Sequence, residues 1–252
     1  FREALRLAQQ AGSKMGQMSA LEGLAASLAN GGKLDAADSL YSVLLQQQQQ
    51  QFDADSLSGM VLIRTLGSLG QINLGRGDIP RAELFFSSIL ELDHVGRIDL
   101  RAEEPALAFA LQGLAEVLAA KGQTSAADSL RSRAIGLLQF GQGFSFYVGG
   151  DFAHAEEAWQ QALEHQTRSP GTEQDIARTA HALGQLYELQ GRRDDAAEQY
   201  RHAAEIYTRS GSSPIHEARV LEDLADLLQP QEPATSDSLR QRAARVRHSM
   251  GS

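Results

Sequence analysis

The chain has 252 residues, 42% of them apolar and 22% charged, and a net charge of −9 at neutral pH. That balance describes a globular chain long enough to bury a core, and it argues against general affinity for nucleic acid or an anionic membrane surface. With no cysteine, disulfides, thiolate metal sites and cysteine nucleophiles are excluded, and no apolar run approaches the roughly 20 residues that span a bilayer. Only 6 prolines occur and Ala, Leu, Gln, Glu and Arg dominate, which favours helix throughout.

From the start, Phe1, Ala4, Leu5 and Leu7 are spaced as the second helix of a helical pair whose first helix is missing. Next, Leu21, Leu24, Ala25 and Leu28 keep one apolar helix face, Gly31-Gly32 breaks it, and Leu34, Ala37, Tyr41 and Leu44 resume it. This predicts two amphipathic helices joined by a tight turn, with Gly32 in the left-handed conformation that ends the first. Ala37 is small where the two helices must cross, and Tyr41 fills the space one turn on. The glutamines at 46–51 continue the register and are expected to be a solvated helix end or loop.

The phrase then recurs. A second copy runs through Leu66, Leu69-Gly70, Gly77, Ala82, Phe86 and Ile89 to "LELDH" at 90–94, and a third through Leu114-Ala115, Leu118, Gly122, Ala127 and Ala134. Between 132 and 150 there is too little chain for a helix, a turn and a helix, so "GQGFSFYVGG" is expected to be a stunted first helix, with a modest kink or seam near 139–150. A fourth copy follows in Gly150, Phe152, Ala155, Trp159 and Ala162. The clearest, Leu183-Gly184, Tyr187, Gly191, Ala196, Tyr200 and Ala203, is the fifth. A worn sixth has Leu221, Leu224-Ala225, Leu228, Ser236, Arg240 and Ala243, with Pro230 and Pro233 where the glycine turn belongs.

This grammar closely resembles the tetratricopeptide repeat family, whose pattern is W-x2-L-G-x2-Y, then A-x3-F, then P. L-G-x2-Y is literal at Leu183–Tyr187, and the A-x3-aromatic half is literal at Ala37/Tyr41, Ala82/Phe86, Ala155/Trp159 and Ala196/Tyr200. No copy has the family tryptophan in its first helix, the closing proline is mostly absent, and the first three copies start 45 residues apart rather than about 34. The resemblance implies an all-α fold: one α-solenoid of helix-turn-helix repeats over 1–252, wound as a right-handed superhelix and beginning inside a repeat. It also implies a non-catalytic scaffold or adaptor that takes a helix or peptide of a partner protein in its concave groove, with no cofactor.

In this family the first helix of each repeat lines the groove, so register assigns the groove positions. Repeat one supplies Gly23 and Ala26, and repeat two supplies Arg64, Gly67, Ser68 and Gln71. Repeat three supplies Phe109, Gln112, Gly113 and Glu116, and repeat five supplies Arg178, His181 and Gln185. The Lys/Asn carboxylate clamp of the family's chaperone-tail binders is absent, since the matching places carry Glu22, Ala26, Ser68, Phe109 and Gly113. Glycine inside a helix costs about 1 kcal/mol relative to alanine, so Gly23, Gly67 and Gly113 imply a close approach to the backbone. Either a neighbouring helix makes it, or these residues form a flat floor for a partner helix.

Chemistry-bearing motifs are missing. The seven histidines form neither HExxH nor a compact ligand cluster, and there is no phosphate-binding G-x4-G-K-[ST] loop and no G-x-S-x-G elbow. Acidic pairs such as Asp194-Asp195 sit at helix starts, where they complement the macrodipole. The rings Phe140, Phe144, Phe146, Tyr147, Phe152 and Trp159 are expected to be core, with a binding patch as the alternative. Arg240, Arg242, Arg245 and Arg247 make the last helix basic, and a solvated helix favoured by its dipole is preferred there to an RNA or membrane contact. Two alternatives to the adaptor stay open: an effector-sensing arm of a larger signalling or transcription regulator, and a structural subunit of an organelle or ribonucleoprotein assembly. The compartment stays open, with the cell interior expected.

Overall fold

The computed structural model describes residues 6, 12–53, 59–94, 104–211 and 213–249, and among these it has eleven α-helices and no strand. They are α1 (Lys14–Asn30), α2 (Leu34–Asp53), α3 (Gly59–Arg76), α4 (Ile79–His94), α5 (Glu104–Ala120) and α6 (Thr124–Val148), followed by α7 (Phe152–Thr167), α8 (Glu173–Leu189), α9 (Arg193–Ser210), α10 (Pro214–Leu228) and α11 (Pro233–Ser249). The chain falls into two compact units, Phe1–Arg131 and Ser132–Ser252. Each is a stack of helix-turn-helix pairs, the all-α repeat architecture expected from the sequence. The segment Phe1–Leu7, expected to be a lone second helix, lies outside the described residues except for Arg6.

One turn recurs. At the end of α1, Gly32 sits at φ 72°, its N–H donates to the Ala29 carbonyl, and the Lys33 N–H donates to Leu28. That pair of bonds closes the last helical turn, and it needs the left-handed residue that glycine provides without steric cost. Gly77, Gly122, Gly150 and Gly191 repeat the geometry, φ 75° to 79°, with the same two bonds. Five positions after each glycine comes an alanine, Ala37, Ala82, Ala127, Ala155 or Ala196, and every one is fully buried. The turn thus sets the angle of the second helix, and the alanine lets the two helices cross closely. The turn before α11 lacks glycine, and there the Gln231 and Glu232 N–H groups both donate to the Leu228 carbonyl.

The first-helix partner of that crossing is a small residue seven positions before the turn. In three repeats it is a glycine facing a ring sixteen residues later: Gly70 and Phe86, Gly143 and Trp159, Gly184 and Tyr200. A Cβ placed on these glycines would stand 2.6, 2.5 and 2.5 Å from ring atoms, well inside van der Waals contact. All three rings are at most 1% exposed. The Trp159 indole N–H also donates to the Phe140 carbonyl at 3.0 Å, which satisfies its only polar atom.

The stunted-helix expectation is corrected here. "GQGFSFYVGG" is the second half of α6, one unbroken helix of 25 residues from Thr124 to Val148. The second helix of repeat three and the first helix of repeat four are therefore fused. The glycines that suggested a break are packing positions. Gly136 abuts Gln166, 3.0 Å from a built Cβ, and Gly143 receives Trp159. Of the ring cluster, Trp159 is core and Phe140, Phe146, Tyr147 and Phe152 pack against it, while Phe144 is 55% exposed. The glutamine tract continues α2 as far as Asp53; Gln46, Gln47, Gln49 and Gln50 are exposed and Gln48 is turned inward.

Candidate functional site

In the first unit, Arg64 on α3 reaches Glu22 on α1, with Nε 2.5 Å from Oε1 and Nη2 donating to Oε2 at 2.9 Å. Glu22 and Arg64 stand three positions apart in repeat register and meet between consecutive first helices. Ser68 turns its hydroxyl back onto the Arg64 carbonyl at 2.9 Å, and Gln71, Phe109 and Glu116 are exposed on the same series of helices. Gly23, Ala26 and Gln112 are half-buried.

The flat floor does not form where Gly67 and Gly113 stand, because both are buried under rings of this chain. A Cβ on Gly67 would lie 2.3 Å from the Phe109 ring, and one on Gly113 would lie 2.3 Å from Phe86. Phe86 is thus held between Gly70 and Gly113, from successive first helices. Phe109 covers Gly67 and meets Phe86 edge-on, with centroids 6.1 Å apart. The close approach inferred from these two glycines is made by neighbouring helices.

In the second unit the assigned positions are polar and already paired. The Arg178 guanidinium lies over the Phe140 ring, 4.3 Å from its centroid, a cation–π contact. His181 is 8% exposed, and its Nε2 is 2.6 Å from the Asp223 carboxylate on α10. Gln185 is exposed, its amide 3.5 Å from the same carboxylate. Beneath them the Tyr200 hydroxyl donates to Glu188 at 2.8 Å. Burial, then the Glu188 carboxylate, push the Tyr200 hydroxyl above its usual range.

Sequence reasoning missed two structural features near these positions. The first is the buried carboxylate Asp38, which accepts from the Asn73 amide at 2.8 Å and pairs with Arg76 and Arg81 at 3.2 Å each. It ties α2 to α3 and α4. The second is Asp223, whose partner His181 lies 42 residues earlier. A residue two positions before the small residue of the next repeat was the available signal, since Gly113 and Asp223 share that register.

On the last helix, Arg240 pairs with Asp226 at 2.8 Å, Arg242 with Glu217 at 3.0 Å and Arg247 with Glu222 at 2.5 Å, all acids of α10. Arg245 is exposed. Among the described residues no group of three or more His, Asp or Glu could hold a metal ion, and no helix is long and apolar enough to cross a membrane.

Comparison with known proteins agrees with the repeat grammar. No curated protein matches the chain. The chain is similar to solved structures at low identity. BtubC (BKLC) from P. vanneervenii is 18% identical with a TM-score of 0.48, over 86% of this chain and 92% of that one. A putative kinesin light chain from Podospora anserina with nearly identical TPR-like repeats is 14% identical with a TM-score of 0.34, over 93% and 96%. A thermophilic TPR protein from Thermus thermophilus is 19% identical with a TM-score of 0.32, over 82% and 98%. Residues 135–209, which hold the Trp159 and Tyr200 sockets, match the tetratricopeptide repeat family model.

Proposed function

We propose that the chain is a non-catalytic adaptor that holds a helix or extended peptide of a partner protein on the face made by its first helices. Tetratricopeptide repeats are in general scaffolds for protein–protein contact. The observation that carries the reading is Phe109, which stays 38% exposed in the first unit although its ring also covers Gly67. It stands in series with the polar groups Arg64, Gln71, Gln112 and Glu116. A half-exposed aromatic ringed by polar side chains is the usual composition of an interface hot spot. Gly67 and Gly113 serve this face indirectly, by seating the rings.

The test uses a partner recovered by affinity purification from the native source. Exchanging the exposed Gln71 and Glu116 for arginine should leave melting unmoved and weaken the partner at least tenfold, about 1.4 kcal/mol. Leu84→Arg, on the second helix α4 where Leu84 is 61% exposed, should change neither. Loss of binding on Leu84→Arg with retention in the first-helix variants would move the contact to the other face. Recovery of the chain with RNA, or alone as part of a larger regulator, would favour the assembly-subunit or sensor-arm readings.

A further inference from the structure

The second unit has a recess of about 350 Å³ between α9, α10 and α11, away from the first-helix positions assigned above. Its floor is Ala204, Leu221, Leu224 and Leu239, and its lining is mostly apolar. One wall is the exposed side of α9, where Arg201, Glu205 and Arg209 follow one another a helical turn apart. The opposite edge is Arg242. That guanidinium is already compensated by Glu217 at 3.0 Å and also donates to the Thr208 hydroxyl. Arg201 and Arg209 make no ion pair or hydrogen bond through their side chains among the described residues. Two unpaired guanidiniums against one carboxylate leave the mouth net positive over an apolar floor.

That combination selects an occupant. An apolar molecule without charge would leave the guanidiniums unused, and a cation would be repelled at both ends of the α9 wall. The volume is at the lower end of the range for small-molecule sites, which pair a largely apolar lining with a few placed polar groups. We propose that this recess binds a small amphipathic anion, a medium-length aliphatic carboxylate, whose chain lies on the three leucines while its carboxylate meets Arg201 or Arg209. The binding is independent of the partner face, and neither conclusion needs the other.

Sodium decanoate, kept below its micelle concentration, is the probe, read residue by residue in 1H–15N correlation spectra of the whole chain. Saturable shifts should appear at the amides of Ala204, Thr208, Leu224 and Leu239, while decylammonium at the same concentrations should leave them in place. Arg201→Ala combined with Arg209→Ala should weaken decanoate at least tenfold without changing the melting midpoint, since both side chains are exposed and unpaired. Ala204→Phe, which fills the recess, should abolish the shifts. No shift with decanoate, equal shifts with decylammonium, or unchanged affinity in the double arginine variant would each overturn the proposal. So would shifts of these amides with protein concentration alone, which would assign the recess to a second copy of the chain.

Discussion

The junction around Phe86 in the first unit and the junction around Tyr200 in the second are built on the same register and filled in opposite ways. In both, a glycine of the repeat's own first helix receives the ring: Gly70 under Phe86, Gly184 under Tyr200. Three positions before that glycine stands Gly67 in one case and His181 in the other. Two positions before the small residue of the next repeat stands Gly113 in one and Asp223 in the other. The first unit leaves both places without side chains and packs Phe86 and Phe109 onto bare backbone. The second fills them with His181 and Asp223, paired at 2.6 Å, and gives its ring a hydroxyl that donates to Glu188. The socket is common to both, and its surroundings decide whether the first-helix face is aromatic or polar.

The largest effect is expected where the two junctions are alike. Gly184→Leu would drive a side chain into Tyr200, and overpacking a buried crossing costs about 3 kcal/mol. Chemical denaturation of the variant measures it, and an unchanged midpoint would mean that the Tyr200 ring has room to move aside.

A smaller effect is expected where they differ. Asp223→Ala leaves His181, nearly buried, without its acceptor and should cost about 1–3 kcal/mol. Gly113, the first unit's occupant of that register, has no such polar partner to lose. A stability loss below about 0.5 kcal/mol would show that the His181–Asp223 pair is replaced by water at no cost.

The smallest effect at neutral pH belongs to Tyr200→Phe, which removes one hydrogen bond and should cost about 1 kcal/mol. It also changes the pH profile. The folded state raises the Tyr200 ionisation above its unfolded value near pH 10, so this group's contribution is complete below that pH and is lost as the pH rises further. Stability of the parent should therefore fall on the alkaline side more steeply than that of the phenylalanine variant. Parallel alkaline limbs would contradict the burial of the hydroxyl.

Much of this was legible in the sequence because it is local. The turn glycine, the alanine five residues on and the aromatic after it lie within one repeat, and each follows from a steric requirement of a single turn or crossing. Gly32, Ala37 and Tyr41 could be assigned by spacing alone. What lies above a helix face could not. Gly113 looks the same whether a partner or Phe86 covers it, and Phe86 belongs to the preceding repeat. The continuity of α6 was hidden for the same reason, since Gly136 and Gly143 weaken a helix in isolation but admit Gln166 and Trp159 here. His181 and Asp223 are 42 residues apart, and only the stacking of two repeats brings them together.

The central claim is that Gly67, Gly70, Gly113, Gly143 and Gly184 are sockets for this chain's own rings, and Gly113→Ala tests it by sign. On an unobstructed helix the change stabilises by about 1 kcal/mol through propensity alone. Here the new methyl would meet Phe86 at 2.3 Å, so the account predicts a net loss of about 1–2 kcal/mol in the denaturant midpoint series. Shrinking the ring with Phe86→Leu should relieve part of that loss, giving a coupling energy above about 0.5 kcal/mol. A rise in stability on Gly113→Ala, with no coupling to Phe86, would contradict it and return Gly113 to the open face.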